Sequence, residues 1–138
     1  MSIEEDRADY WDMLASLGVE HAKLRAHTEN SADQIPMPRS FDVDVRPSPI
    51  DGLGIYTTRA FQAGEILAPA RIGVWRTPVG RYTNHAKRPN CLYVPWPPQV
   101  VLVARHVLQA GDEATVDYRL SRLVASTLEQ MLSVKDGV

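Results

Sequence analysis

Arg81-Tyr82-Thr83-Asn84-His85-Ala86-Lys87-Arg88-Pro89-Asn90-Cys91 is a polar stretch with little periodicity, set between apolar runs. Such segments cap elements, bridge loops or contact ligands, and Asn84 and His85 are the residues of this one best suited to a hydrogen-bonding role. No second histidine or carboxylate stands at metal spacing from His85. On either side the chain reads as short strands divided by turns. Phe41, Val43 and Val45 alternate with Asp42, Asp44 and Arg46, which predicts a half-buried strand ended by Pro47 and Pro49. Residues 53–58 follow as a second strand behind a Gly52/Gly54 turn, and a third begins at Glu65. Strands are expected over 91–94 and 100–107, around the Pro95-Trp96-Pro97-Pro98 punctuation, and over 113–118.

Outside that body the pattern changes. From Ile3 to about His27, Tyr10, Leu14, Leu17, His21 and Leu24 recur at three- and four-residue steps, which predicts an amphipathic helix. Gly18 weakens its middle by about 1 kcal/mol. Residues 28–39 carry two prolines and no periodicity and read as a linker. A second helix is expected over 119–132, with Leu120, Val124, Leu128 and Met131 on one face. The division is therefore 1–40 as helix and linker, 41–118 as a β domain, and 119–138 as helix and tail.

The chain has 138 residues, within the range of one domain. Ten prolines limit long helix and favour strands and turns. A single cysteine, Cys91, excludes an internal disulfide and a multi-cysteine zinc site. No apolar run approaches the ~20 residues that cross a bilayer, and the acidic start lacks the features of a secretory leader, so a cytoplasmic setting is expected. The net charge of −2 gives no footprint for nucleic-acid binding. It is divided unevenly: residues 1–44 sum to −6 and residues 45–138 to +4.

Two further segments carry candidate chemistry. In Ser48-Pro49-Ile50-Asp51-Gly52-Leu53-Gly54-Ile55-Tyr56 the glycines permit unusual torsions and close approach of a ligand to the main chain. A structural turn is the commoner explanation of such a pair, and no helix pattern follows as a dinucleotide fingerprint would require. Glu113-Ala114-Thr115-Val116-Asp117-Tyr118 is a strand ending in a polar pair, and a tyrosine there is commonly core or interface filler.

Taken together and in this order, the three segments resemble the motifs of the SET-domain protein lysine methyltransferases. The first is similar to that family's Ser-x-x-x-Gly-x-Gly-aliphatic-aromatic motif, and Phe61-Gln62-Ala63-Gly64-Glu65 to its Phe-x-x-Gly-Glu turn. The second resembles Arg-Phe-x-Asn-His-Ser-Cys-x-Pro-Asn, and the third Glu-Leu-Thr-Phe-Asp-Tyr. The resemblance runs from about Val43 to Tyr118. It implies a mainly β, β-clip-like fold of short curved sheets with flanking helices, in which the Asn-His segment threads under the closing segment as a pseudoknot. It implies S-adenosylmethionine as methyl donor and a protein with an exposed lysine as acceptor. Gly52, Leu53 and Gly54 would line the cofactor's methionine part, and Arg81, Asn84 and His85 would hold its amino acid and adenine portions. Tyr118 would be the active-site tyrosine, with Tyr56 and Tyr82 beside the substrate channel.

Departures from the family pattern sharpen the expectation. Ala86-Lys87 replaces Ser-Cys, and no cysteine follows Cys91, so the zinc annex of larger members is not expected. The interval from Ala68 to Gly80 is short for the insert that walls the substrate groove. The helix at 3–27 or a second subunit in a homodimer would have to replace that wall, and the helix at 119–132 would have to close the channel. These features suit a small, zinc-free bacterial or viral type. They also leave open a non-catalytic SET-like module serving as a binding or structural unit.

Overall fold

The computed structural model describes residues 3–18, 20–22, 26 and 32–120. Helix α1 is Ile3–Leu17, and it is shorter than the periodicity predicts. Gly18 adopts φ +67, the left-handed conformation that ends helices and that glycine enters without a Cβ clash. His21 and Ala22 are helical again, so Gly18 divides two helical segments rather than weakening one. The helix expected over 119–132 lies outside the described residues beyond Leu120.

The described residues form eight strands, of which the two shortest, at two residues each, have no counterpart in the sequence reading. They are β1 Val43–Pro47, β2 Leu53–Thr57, β3 Ile66–Ile72, β4 Trp75–Arg76, β5 Asn84–His85, β6 Cys91–Trp96, β7 Gln99–Ala104 and β8 Glu113–Val116. A short helix, α2, spans Pro78–Tyr82. One four-stranded sheet has the order β1-β2-β8-β5 and the other β4-β3-β7-β6. The architecture is mainly β with a flanking helix. Among the described residues no helix is long and apolar enough to cross a membrane.

The core lies between the sheets. Ile55, Phe61, Leu67, Leu102, Leu108 and Val116 are each at most 2% exposed. Burying one such side chain is worth roughly 1.5–3 kcal/mol, so this cluster is the main favourable term for a domain of short strands. Cys91 belongs to the same core, where burial pushes its thiol up to about 12 and leaves it without thiolate reactivity.

Three strand readings need correction. β1 is an exposed edge rather than half-buried: it pairs only with β2, Val45 is 43% exposed, and Arg46 and Asp44 form an ion pair at 2.8 Å along it. Charge on an edge strand discourages pairing with another chain. β6 runs through Pro95 and Trp96 to register with Gln99, because β6 is itself an edge and a proline's missing N–H costs nothing there. The last strand stops at Val116, and Tyr118 begins a helical turn.

The interval from Ala68 to Gly80 holds most of β3, then β4 and the start of α2. Arg76, 5% exposed, receives Asp33 on two of its nitrogens at 2.9 and 3.0 Å. Ile35 N–H donates to the Arg76 carbonyl, and Arg76 N–H to that of Asp33. The described part of the linker is therefore tied to β4.

Candidate functional site

Thr77-Pro78 starts α2 because threonine at the N-cap accepts the Gly80 N–H and proline at the first position has no N–H to lose. The helix ends after one turn at Thr83, and the chain leaves it extended as β5. Asn84 pairs with Thr115 and His85 with Val116 in parallel. A parallel pair requires a crossover, supplied here by the β6–β7 hairpin. Two motifs distant in sequence thus become neighbours.

Asn84 reaches into the glycine turn. Its Nδ2 lies 3.0 Å from the carbonyls of Asp51 and Leu53 and 3.0 Å from Glu113 Oε2. Glu113 also accepts from Ser48 Oγ at 2.8 Å and from the Tyr56 hydroxyl at 3.3 Å. Burial pushes the Tyr56 phenol up, and the Glu113 charge beside it adds to the effect. Gly52 sits at φ +47. Gly54 has a different reason for its identity: a Cβ there would fall 2.3 Å from Glu113 Oε2. The first and third motifs are therefore held together by one carboxylate.

His85, 1% exposed, occupies the centre of a second network. Its Nδ1 accepts the Tyr118 backbone N–H at 3.1 Å, which places the ring proton on Nε2. Nε2 lies 2.7 Å from Asp9 Oδ2, and Arg119 Nη1 meets the same oxygen at 3.1 Å. Burial raises the Asp9 carboxyl, but the Arg119 guanidinium and His85 outweigh it and hold the group below its ordinary value. Tyr118 donates its hydroxyl to the Thr83 carbonyl at 2.9 Å. Burial is the largest cause keeping that phenol far above its ordinary value, so it is a neutral hydrogen-bonding group at any physiological pH. Burial likewise pushes the Tyr93 phenol up to about 12.

A cleft of about 310 Å³ opens between these networks and α1. Asn84, His85, Tyr118 and Asp51 line it. Gly52, Leu53 and Gly54 form the turn behind Asn84. Arg81 lies at the end of α2 with its guanidinium 4.9 Å from the Tyr82 ring centre, and Tyr82 packs on the core. Gly52, Leu53, Gly54, Arg81, Tyr82 and Tyr56 stand outside the cleft's lining. Among the described residues no group of three His, Cys, Asp or Glu side chains is placed to hold a metal ion.

Helix α1 closes the other side. Arg7 donates to the carbonyls of Ile50 and Pro49 on the glycine turn, and Asp6 accepts the Lys87 N–H at 3.0 Å. Met13 and Leu14 are buried beneath it. The sequence reading assigned no contact to the acids of this helix and missed Asp6 and Asp9 as partners of the Asn-His segment. The one available signal was the acidic excess of residues 1–44 facing a basic remainder. Glu113 was visible as the start of the third motif, without its role as the common acceptor.

No family model matches the chain, and no curated protein does. Among the solved structures similar to it is a humanized mutant of the Chaetomium thermophilum Polycomb Repressive Complex 2 bound to an inhibitor. It has 15% identity and a TM-score of 0.48 over 58% of this chain, which spans 15% of that one. A Plasmodium falciparum protein assigned as a histone methyltransferase has 17% identity and a TM-score of 0.46, over 55% of this chain and 96% of its own.

Proposed function

We propose that the chain is a SET-type, S-adenosylmethionine-dependent methyltransferase acting on a protein lysine. The reading rests on one arrangement: the three motif segments, far apart in sequence, meet around one cleft, with Asn84 clasping the glycine turn and Tyr118 docked on Thr83 and His85. The donor set suits such a cofactor. Asn84 and the polar turn offer groups for an amino acid moiety, Asp51 offers acceptors, and the cleft volume falls at the lower end of small-molecule sites.

When bound, S-adenosylmethionine would supply a methyl group made electrophilic by its cationic sulfur, for transfer to a neutral lysine amine with the thioether as leaving group. The acceptor amine must first lose its proton, since free lysine has a pKa of about 10.4. Desolvation in an apolar channel favours the neutral amine by up to about 3–5 units. Tyr118 does not act as the base in this scheme. Its neutral hydroxyl is a fixed dipole, held by Thr83, that orients the amine. His85 fixes the Tyr118 main chain, and Asn84 fixes the glycine turn.

The non-catalytic module has one observation in its favour: Asn84, Tyr118 and Glu113 all find partners within the chain. Radiolabelled methyl transfer into a lysate of basic proteins separates the two. Label incorporation is expected with the wild-type chain and a fall of about 100-fold with Tyr118→Phe, the cost of lost positioning, while S-adenosylhomocysteine affinity by calorimetry changes little. Equal turnover in the variant would remove Tyr118 from the reaction.

A further inference from the structure

The cleft has a second wall that the three motifs do not account for. Trp11 on α1 is 55% exposed, although Met13 and Leu14 on the same helix are 1% and 4% exposed. An isolated exposed apolar residue needs no explanation, but Trp11 lies within an aromatic group. The Trp11 and His21 ring centres are 4.8 Å apart, and Tyr10 meets them edge-on at 5.5 and 5.7 Å. The Tyr10 hydroxyl and His21 Nδ1 are hydrogen-bonded at 2.8 Å, which ties His21 to α1. Tyr10 also faces Tyr118 edge-on at 6.2 Å, so the outer aromatic group joins the inner site without interruption. All three line the same cleft as Asn84 and Asp51.

We propose that Trp11 and His21 form a purine-nucleoside subsite, in which the base stacks on the α1 wall and the ribose diol meets Asp51. This deepens the methyltransferase reading and rests on it: the nucleoside would be that of S-adenosylmethionine, its amino acid end directed toward Asn84. The chemistry selects this ligand class. Aromatic rings at the mouth of a cleft stack flat bases, and a carboxylate is the common acceptor for a ribose diol. The assignment also gives α1 a task that the motif-bearing domain lacks, because Arg81 and Tyr82 stand away from the cleft.

Calorimetric titration of the full chain with S-adenosylhomocysteine, adenosine and methionine tests it. One base–aromatic stack corresponds to roughly 5- to 100-fold in affinity. Trp11→Leu is expected to weaken S-adenosylhomocysteine and adenosine by that factor, and Trp11→Phe to stay within about threefold of the wild type. Methionine binding should be unaffected by either. A Trp75→Phe/Trp96→Phe chain leaves Trp11 as the one tryptophan, and its emission should be quenched on adding S-adenosylhomocysteine. Normal affinity in Trp11→Leu, or unquenched Trp11 emission in a chain that binds the ligand, would overturn the subsite and leave the methyltransferase reading intact. A wild-type chain that binds none of the adenosine ligands would overturn both.

Discussion

Glu113 gathers the Ser48, Tyr56 and Asn84 donors, and the space it occupies decides what can stand at position 54. An alanine Cβ there would lie 2.3 Å from Oε2 and 3.0 Å from the Ser48 Cβ. Something must shift, and the cheapest movement is of the carboxylate, at the expense of its hydrogen bonds. Gly54→Ala is expected to lower stability by about 1–3 kcal/mol in urea denaturation. Because the nearest atom belongs to a side chain, adding Glu113→Ala should make the two losses less than additive. Simple additivity would show that the carboxylate is not what excludes a side chain. The sequence made Gly54 visible as a position of close approach. That the approaching group is a carboxylate 59 positions later was hidden, because it depends on the β2–β8 register of Ile55 with Ala114.

Elements were legible to the extent that their periodicity survived in the chain. The run at residues 53–58 behind its glycine turn and the Phe61–Glu65 turn before β3 mark strands that the structure contains. β5 was not readable as a strand, since two residues have no period and their pairing with β8 is entirely tertiary. α2 was missed for its brevity, although Thr77-Pro78 is a helix-start signature. Its seat on β3 gives a sharper test than Gly54 does. A Cβ at Gly80 would fall 2.1 Å from the Ala70 carbonyl oxygen, which is main chain and cannot rotate away. Gly80→Ala should therefore shift the urea midpoint further than Gly54→Ala, and no single side-chain truncation on β3 should restore it. A smaller shift than at Gly54 would mean that α2 lifts off β3 at little cost.

Across the whole molecule, the segregation of charge in the sequence corresponds to a contact. The acidic N-terminal helix lies on the Asn-His segment, with Asp6 on the Lys87 amide and Asp9 between His85 and Arg119. Composition could indicate attraction between the two parts, but not which carboxylate meets which partner, since that depends on where Gly18 stops the helix. The Asp9 contact carries a pH dependence whose sign is fixed. Its carboxyl is held below its ordinary value in the folded chain, so on acidification the unfolded chain takes up the proton first. The contribution of Asp9 is complete above the ordinary carboxylate range near 4 and is lost as pH falls through the lowered value. Asp9→Asn keeps an acceptor for His85 Nε2 but loses the charge facing Arg119. Urea denaturation of both chains at a series of pH values should show the variant less stable by about 1–3 kcal/mol at neutral pH. The difference should close as pH drops below about 4, with the other carboxylates cancelling between the two curves. A constant difference across that range would mean that the Asp9 charge does not hold α1 against the site. The helix would then be secured by the burial of Met13 and Leu14 and by the Asp6 and Arg7 hydrogen bonds.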